Sequence, residues 1–139
     1  MITEDYTSYE VAKLLKEKGF PMGEHLFMYV NKDNVFMTDD YACLKLPQEE
    51  YKNFDEIYIP TITHQMAMKW LREIHKISID ICTVQGKRVS YMFNIWDFAN
   101  IYDNKYIGGI FDLREQLYDF NTFEEAVEAA LKYSLENLI

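Results

Sequence analysis

Three histidines and two cysteines are the residues of this chain whose side chains are best suited to metal binding or nucleophilic catalysis. His64 and His75 lie eleven residues apart, which returns them to nearly the same face of a predicted helix but separates them by about 16 Å along its axis. One metal ion, with bonds of about 2 Å, cannot reach both side chains. The histidine spacing therefore predicts no metal site.

The cysteines show no catalytic or redox pattern. Cys43 and Cys82 are far apart and form no CxxC motif, which is typical of reduced thiols in a cytoplasmic protein. A cysteine nucleophile needs a base within hydrogen-bond distance. His75 is near Cys82 in sequence, but it lies at a predicted helix end rather than on the strand of Cys82. We therefore expect both thiols to be inert.

Two further patterns are weak candidates for a site. Asp80 and Asp97 occupy predicted strand positions and are candidates for an acid–base pair, although surface carboxylates are the commoner case. The pair Gly108–Gly109 lacks the flanking residues of a phosphate-binding loop. The sequence thus predicts no catalytic residue, no cofactor-binding residue and no metal ligand.

Length and composition indicate one well-filled domain spanning residues 1–139. Hydrophobic residues make up 49% of the chain and aromatic residues 16%, which favours a packed core over disorder. No apolar run approaches the ~20 residues of a membrane span, and the first residues lack the features of a signal peptide. We expect a cytoplasmic protein without membrane contacts.

The charge is strongly negative overall but uneven along the chain. A net charge of −9 makes non-specific nucleic-acid binding unfavourable. Residues 69–88 nevertheless form a basic island, in which five bases accompany only Glu73 and Asp80. Its bases are Lys69, Arg72, Lys76, Lys87 and Arg88. A solvated helix face is the favoured interpretation, and a phosphate or nucleic-acid site is the alternative.

A central helix follows Pro60, since the proline biases Ile59 toward extended backbone and leaves Thr61 or Thr63 as the N-cap. One apolar stripe recurs every four residues, with Ala67 and Leu71 beside it, and His64 falls on the other side. We expect Trp70 to be its largest buried side chain. The stripe comprises Ile62, Met66, Trp70 and Ile74.

Alternating residues after this helix predict a hairpin. Isoleucines at 77, 79 and 81 alternate with polar residues, and a second alternating run spans 88–96. A two-residue loop would place the two apolar sets on opposite faces, so an odd-length loop at 85–87 is predicted. It pairs Ile81 with Tyr91, Ile79 with Phe93 and Ile77 with Ile95. The resulting face includes Val89 and should lie beneath Met66, Trp70 and Ile74, with Asp80 on the opposite face.

Caps and turns outline the remaining elements. A capping box from Thr7 to Glu10 predicts a helix over 8–18 that stops at Gly19. A second hairpin is predicted over 25–31 and 35–38, and 39–56 is irregular apart from a helical turn at 47–53 and a short strand at 56–59. Ile107, Ile110 and Phe111 suggest a further strand. The terminal helix begins after Thr122, the first residue of a second capping box. Its apolar stripe comprises Phe123, Ala126, Val127, Ala130, Leu131, Leu135 and Leu138.

The predicted fold class is therefore α+β: an antiparallel sheet built from hairpins, with about three helices. The predicted element order is α-β-β-α-β-β-(β)-α. The central and terminal helices should share one sheet face, because the β-hairpin offers the largest apolar surface.

Three stretches carry a resemblance to a known family: residues 7–20, 60–81 and 120–139. The matching residues are mostly core and capping positions, namely Pro60-Thr61, Ala67, Trp70, Leu71, Arg72, Glu73 and Glu124-Glu125-Ala126. The chain resembles a family of small uncharacterised proteins of gut anaerobes and their prophages or other mobile elements. That family has no assigned activity, so the resemblance implies an accessory role but no site residues.

Three functional hypotheses remain. The first is a non-enzymatic accessory or protein-binding module that contacts a protein partner or a second copy, since tyrosine-rich surfaces suit interfaces. The second is an enzyme or small-molecule binder using the tyrosine-rich segment 97–118, with a pocket at Tyr102, Tyr106, Gly108 and Gly109. The third is weak nucleic-acid binding through the basic island.

Overall fold

The computed structural model describes residues 5–23, 28–86, 88–98, 105–107 and 120–139. Helices alternate with antiparallel strands, so the predicted α+β class and the approximate element order are confirmed. The described residues form six helices instead of about three, because short helices fill the stretch predicted as irregular. The elements are α1 (Tyr9–Glu17), β1 (Met28–Val30), β2 (Phe36–Thr38), α2 (Asp39–Lys45), α3 (Gln48–Lys52), α4 (Phe54–Ile57), β3 (Ile59–Pro60), α5 (His64–Ile74), β4 (Ile77–Gln85), β5 (Val89–Asp97), β6 (Lys105–Ile107) and α6 (Phe123–Asn137).

The chain divides into two compact units, Met1–Thr63 and His64–Ile139. Within the described ranges, the strands correspondingly form two three-stranded sheets, ordered β2-β1-β3 and β4-β5-β6, rather than one. The single domain over 1–139 stays a prediction.

Helix α1 begins one residue later and ends one residue earlier than predicted, and Gly19 stops it as predicted. Ser8, not Thr7, is its N-cap, and the Ser8 hydroxyl accepts a hydrogen bond from the Val11 amide. At the other end Gly19 has φ +88, which a residue with a Cβ rarely adopts. The Phe20 amide then donates to the Leu15 carbonyl, so Gly19 closes the helix in a Schellman motif.

Thr7 is instead a buried link between the start of α1 and the end of β3. Its hydroxyl lies 2.7 Å from that of Thr61, and the Thr61 hydroxyl donates to the Thr7 carbonyl at 2.8 Å. Since the Thr61 proton is used in that bond, Thr7 donates in the first. Both side chains are buried and satisfied, which explains why neither threonine caps a helix.

The sheet of the N-terminal unit contains the predicted second hairpin in shortened form. β1 pairs antiparallel with β2, and Asn34 at the turn has φ 57, a left-handed conformation that asparagine tolerates. β3 adds to the other edge of β1 through Val30 and Ile59. This strand lies at 59–60 rather than at the predicted 56–59, because Phe54–Ile57 is helical. Residues 25–27 of the prediction lie outside the described residues.

In the C-terminal unit, the β4–β5 hairpin has the predicted parity but a different register. Ile77 pairs with Asp97, Ile79 with Ile95 and Ile81 with Phe93, so each predicted pair is wrong by two residues. Gln85 pairs with Val89, which leaves an odd loop at 86–88 instead of 85–87. Because the shift is even, the apolar residues keep the predicted face and Asp80 lies on the other.

Helices α5 and α6 both pack on β4 and contact each other, as predicted. The buried face of α5 is not the predicted one: His64, Ala67 and Leu71 are buried, whereas Met66 is 48% exposed and Ile74 64% exposed. Trp70 is only half-buried, with its ring 4.5 Å from that of His75. The prediction of a Met66–Trp70–Ile74 contact face is therefore wrong. Helix α5 begins at His64, so Ile62 precedes the helix. Ile62 is buried, but its position does not indicate which face of α5 is buried.

The terminal helix α6 is capped as predicted and buries the predicted stripe in its central part. The Thr122 hydroxyl accepts from the Glu125 amide, while the Glu125 carboxylate accepts from Asn121 rather than from Thr122. Phe123 is partly exposed, with its ring in edge contact with Tyr91. Among the described residues, no helix combines the length and the apolar character that crossing a bilayer requires.

The strand β6 partly matches the predicted further strand. It pairs antiparallel with the end of β5, with Ile107 opposite Ile95. Ile110 and Phe111 lie outside the described residues.

Alanine substitutions distinguish the observed face of α5 from the predicted one. Leu71→Ala should lower the free energy of unfolding by about 2–5 kcal/mol, because Leu71 is fully buried and its loss leaves a cavity. Ile74→Ala, at an exposed site of the same helix, should change it by less than about 0.5 kcal/mol. Urea denaturation of both variants measures the difference. A larger cost for Ile74→Ala than for Leu71→Ala would restore the Trp70-centred face.

Candidate functional site

The fold does not bring together the residues that the sequence analysis considered as catalytic candidates, Asp80, Asp97 and Cys82. Asp80 pairs with Asn94 and Asp97 with Ile77, which places the two carboxylates on opposite sheet faces and excludes an acid–base pair. Cys82 accepts a hydrogen bond from the Asn94 side-chain amide at 3.2 Å. In the part of the chain that the structure describes, no three His, Cys, Asp or Glu side chains are grouped to hold a metal ion.

The tyrosine-rich pocket hypothesis falls largely outside the described residues. Tyr102, Gly108 and Gly109 are not among them. Tyr106 contributes backbone pairing with Trp96 in the β5–β6 ladder. The proposed pocket therefore stays a prediction.

The basic island is partly engaged in local contacts. Lys69 and Glu73 form an exposed i,i+4 pair at 3.9 Å, and the Lys76 ammonium donates to the Glu73 carbonyl at 2.8 Å. Lys76 itself has φ 59 and connects α5 to β4. Two of the five bases thus contact Glu73, which fits a solvated helix end better than a phosphate cradle.

The segment 39–57, predicted as irregular, is an acidic chain of three short helices, and we call it the acidic segment. Thr38 is the N-cap of α2, and its hydroxyl accepts from the Tyr41 amide at 3.2 Å. Six carboxylates accompany two lysines in this segment, and all eight side chains are exposed. The acids are Asp39, Asp40, Glu49, Glu50, Asp55 and Glu56; the bases are Lys45 and Lys52.

The acidic segment packs against the N-terminal sheet through an aromatic cluster. Phe54 is buried and stacks on Tyr58 at a centroid distance of 4.8 Å. The Tyr29 ring meets Phe54 edge-on at 5.0 Å, and the Tyr51 ring lies at 6.2 Å with a tilt of 42°. Ala42, buried in the same cluster, holds α2 in place. Isolated helices of four to seven residues are unstable in water, so this burial is what stabilises them.

A pocket of about 460 Å³ opens beside the cluster. This volume lies within the range of small-molecule sites, roughly 300–1,000 Å³. Its lining combines three aromatic rings with three charged side chains: Tyr29, Asp39, Tyr51, Lys52, Phe54 and Asp55.

Carboxylate and thiol groups next to the pocket perturb Tyr51. The pKa of the Tyr51 hydroxyl is raised above its ordinary 10.0, chiefly by the negative charge of Asp39. Cys43 is the next cause; burial and hydrogen bonding with both side chains add to it. Asp39 and Cys43 are four residues apart on α2, so one helix face presents both to Tyr51.

The surroundings of Tyr51 favour its protonated form. A cysteine nucleophile needs a neighbouring group that removes its proton. A tyrosine with a raised pKa remains protonated at neutral pH and acts as a hydrogen-bond donor. In the Asp39–Cys43–Tyr51 cluster that proton is already engaged, because the Tyr51 hydroxyl is hydrogen-bonded to the neighbouring side chains.

A second polar contact lies in the C-terminal unit. His64 Nε2 and Glu128 Oε1 are 2.7 Å apart and join the first residue of α5 to the middle of α6. The His64 side chain is almost fully buried, and that of Glu128 is 25% exposed. This bond therefore links α5 to α6. The sequence offered no signal for it, because the two residues are 64 positions apart.

No protein-family model, curated protein or solved structure matches this chain.

The Tyr51 cluster predicts a specific titration. Asp39→Asn should lower the pKa of Tyr51 toward its ordinary value, because the carboxylate charge that opposes the phenolate is removed. NMR titration of ring-labelled tyrosine, with the signal assigned from Tyr51→Phe, measures it. Asp55→Asn is the matched control at another carboxylate of the pocket and should have a smaller effect. An unchanged or higher pKa in Asp39→Asn would contradict the cluster.

The His64–Glu128 bond predicts a coupled loss of stability. Glu128→Ala should cost about 1–3 kcal/mol, because a buried histidine nitrogen loses its partner. Glu136→Ala, at an exposed position of the same helix, should cost less than about 0.5 kcal/mol. A double-mutant cycle with His64→Ala, followed by urea denaturation, isolates the pair. Additive single-variant effects would show that the two residues act independently.

Proposed function

We propose that this protein is a non-enzymatic binding module of the cytoplasm, and that the outer face of α2 contacts a basic protein partner. The observation that carries this proposal is the exposure of Leu44, a residue of α2 in the acidic segment that is 80% accessible. Tyr41, three residues earlier on the same helix face, is 53% exposed. Tyrosine and leucine at this spacing give a partner one aromatic and one aliphatic anchor.

The charge around these anchors indicates the chemistry of the partner. Apart from the pocket-lining Asp39, Lys52 and Asp55, the acidic segment exposes four acids against one lysine. This balance favours a partner surface that bears arginine or lysine around an apolar pocket. A second copy of this chain would place the same acidic face opposite itself in a two-fold dimer, so self-association is disfavoured there. Nucleic acid is disfavoured for the same reason.

The alternatives have weaker support. A small-molecule site or enzyme in the segment 97–118 depends on residues outside those described. Nucleic-acid binding through the basic island competes with the contacts that Lys69 and Lys76 make to Glu73. The resemblance to proteins of prophages and mobile elements supports an accessory role, and the neighbouring genes in the source genome would test that association.

Site-specific cross-linking tests the partner surface. A photoreactive amino acid replacing Leu44, introduced in the cells that encode the protein, should capture a basic protein, whereas the same group at Lys13, exposed on α1, should not. With the purified partner, Leu44→Ser should weaken binding by about tenfold or more, as expected for an interface anchor. Added salt should weaken binding further, because opposite charges face each other. Because Leu44 is exposed, the substitution should leave the fold intact.

Two outcomes would contradict this proposal. One is an adduct that forms equally from positions 44 and 13. The other is a captured protein whose affinity is unchanged by Leu44→Ser.

A further inference from the structure

Strand β4 forms an edge of the C-terminal sheet. Within the described residues the strand order is β4-β5-β6, so only one side of β4 is paired. Natural edge strands are usually short or carry lysine, proline or a bulge, which prevents pairing with another chain. β4 has nine residues, no lysine or proline, and an unbroken register with β5, and Asp80 is its one charged residue. This edge is therefore open to a further strand.

The pairing of Tyr91 determines which backbone groups of β4 face this open side. The Tyr91 and Phe120 amides each donate to the other residue's carbonyl, at 2.8 and 2.9 Å, on the side of β5 away from β4. Neighbouring strand residues direct their backbone groups to alternate sides, so the even-numbered residues of β5 bond to β4. Their register partners on β4 are also even-numbered. The odd-numbered residues of β4 therefore direct their N–H and C=O groups away from β5: Ile77, Ile79, Ile81, Thr83 and Gln85.

The outward side of β4 is complementary to itself. Ile81 is the middle residue of the strand and one of the residues that face outward. Two copies can therefore pair antiparallel about a two-fold axis at Ile81, with all nine residues in register and Ile79 opposite Thr83 of the second copy. Odd-numbered residues meet odd-numbered residues, so the apolar face continues across the pair. Asp80 lies opposite Cys82 of the second copy, and the two carboxylates are not placed against each other.

The exposed apolar side of α5 lies toward the same edge. His64 points to α6, to which it is hydrogen-bonded. At about 100° per residue, the buried Ala67 lies about 60° from His64 around the helix, and Trp70 about 60° further in the same sense. Trp70 is thus on the side of α5 away from α6. Since α6 packs on β5 as well as on β4, that side faces the open edge of β4. Met66 and Ile74, one turn before and after Trp70, are both exposed.

We propose that two copies of this chain associate through β4 into a continuous six-stranded sheet, ordered β6-β5-β4-β4-β5-β6. The two-fold axis is perpendicular to the sheet, so the helices of both copies lie on the same sheet face. The Met66–Trp70–Ile74 side of each α5 is then buried against the second copy, which accounts for an apolar helix side that the monomer leaves exposed. This contact involves only the C-terminal unit and is independent of the acidic segment.

A proline at an outward-facing position tests the strand pairing. Sedimentation velocity should show the wild-type chain as a dimer at about 100 μM. Thr83→Pro should weaken dimerisation by about tenfold or more, because it removes two hydrogen bonds of the dimer and none of those to β5. Thr83 is exposed, and the matched control Thr83→Val keeps the amide and should change the dimerisation constant by less than about threefold. A wild-type chain that stays monomeric at about 500 μM, or a folded Thr83→Pro variant that dimerises like the wild type, would overturn the proposal.

A disulfide tests the register without a proline. Positions 80 and 82 of the two copies form a non-hydrogen-bonded pair, with Cα atoms about 4.5 Å apart, which is within the range of a disulfide. In a Cys43→Ser background, Asp80→Cys should therefore yield a covalent dimer on mild oxidation, through Cys82 of the second copy. Adding Cys82→Ser should abolish this product. If no covalent dimer forms, or if it persists without Cys82, the two-fold axis is not at Ile81 and the proposal is wrong.

Leu44→Ser separates this contact from the proposed partner surface. Because Leu44 belongs to the acidic segment, the substitution should leave dimerisation unchanged. Loss of the dimer in Leu44→Ser, with Thr83→Pro unaffected, would assign self-association to the acidic segment and overturn the pairing of β4.

Discussion

The strand pairing of β4 with β5 is the constraint on which the C-terminal unit depends. Side chains of a strand alternate between faces, so the odd loop at 86–88 places Ile77, Phe93 and Ile95 on the same side. These three side chains are buried, and α5 and α6 pack on this hairpin. A loop one residue shorter would separate the two apolar sets and leave no common surface for the helices.

The N-terminal unit depends on a different interaction, the burial of Phe54 among Tyr29, Tyr51 and Tyr58. Helices of four to seven residues gain too few internal hydrogen bonds to be stable alone. Their geometry is therefore set by what they bury, and Phe54 and Ala42 bury against the sheet. The side chains that remain outside, Tyr41 and Leu44, are exposed because α2 has only one face in contact with the core.

The predictability of each feature follows from how local its signal is. Gly19 and Thr122 were predicted correctly because a helix end needs only a few neighbouring residues. The β4–β5 parity was predictable, but not its register, because a shift of two residues leaves every side chain on the same face. The face of α5 was predicted wrongly because Ile62 extended the apolar pattern, although the helix begins only at His64. The His64–Glu128 bond and the Tyr51 cluster could not be predicted, because each joins elements that only tertiary packing brings together.

In the acidic segment, the residues proposed for function are positioned by tertiary packing, which the sequence pattern does not reveal. Asp39 and Cys43 have helical spacing, but α2 is too short for an amphipathic stripe, and the sequence pattern alone predicted no helix there. Once Ala42 fixes the rotation of α2, the same seven residues direct a carboxylate and a thiol toward Tyr51 and an exposed leucine outward. Two chemically different surfaces thus arise from one short helix, because its buried alanine decides which side faces the aromatic cluster. Substitutions at exposed positions on one side of α2 leave the buried Ala42 in place. The two surfaces can therefore be changed independently.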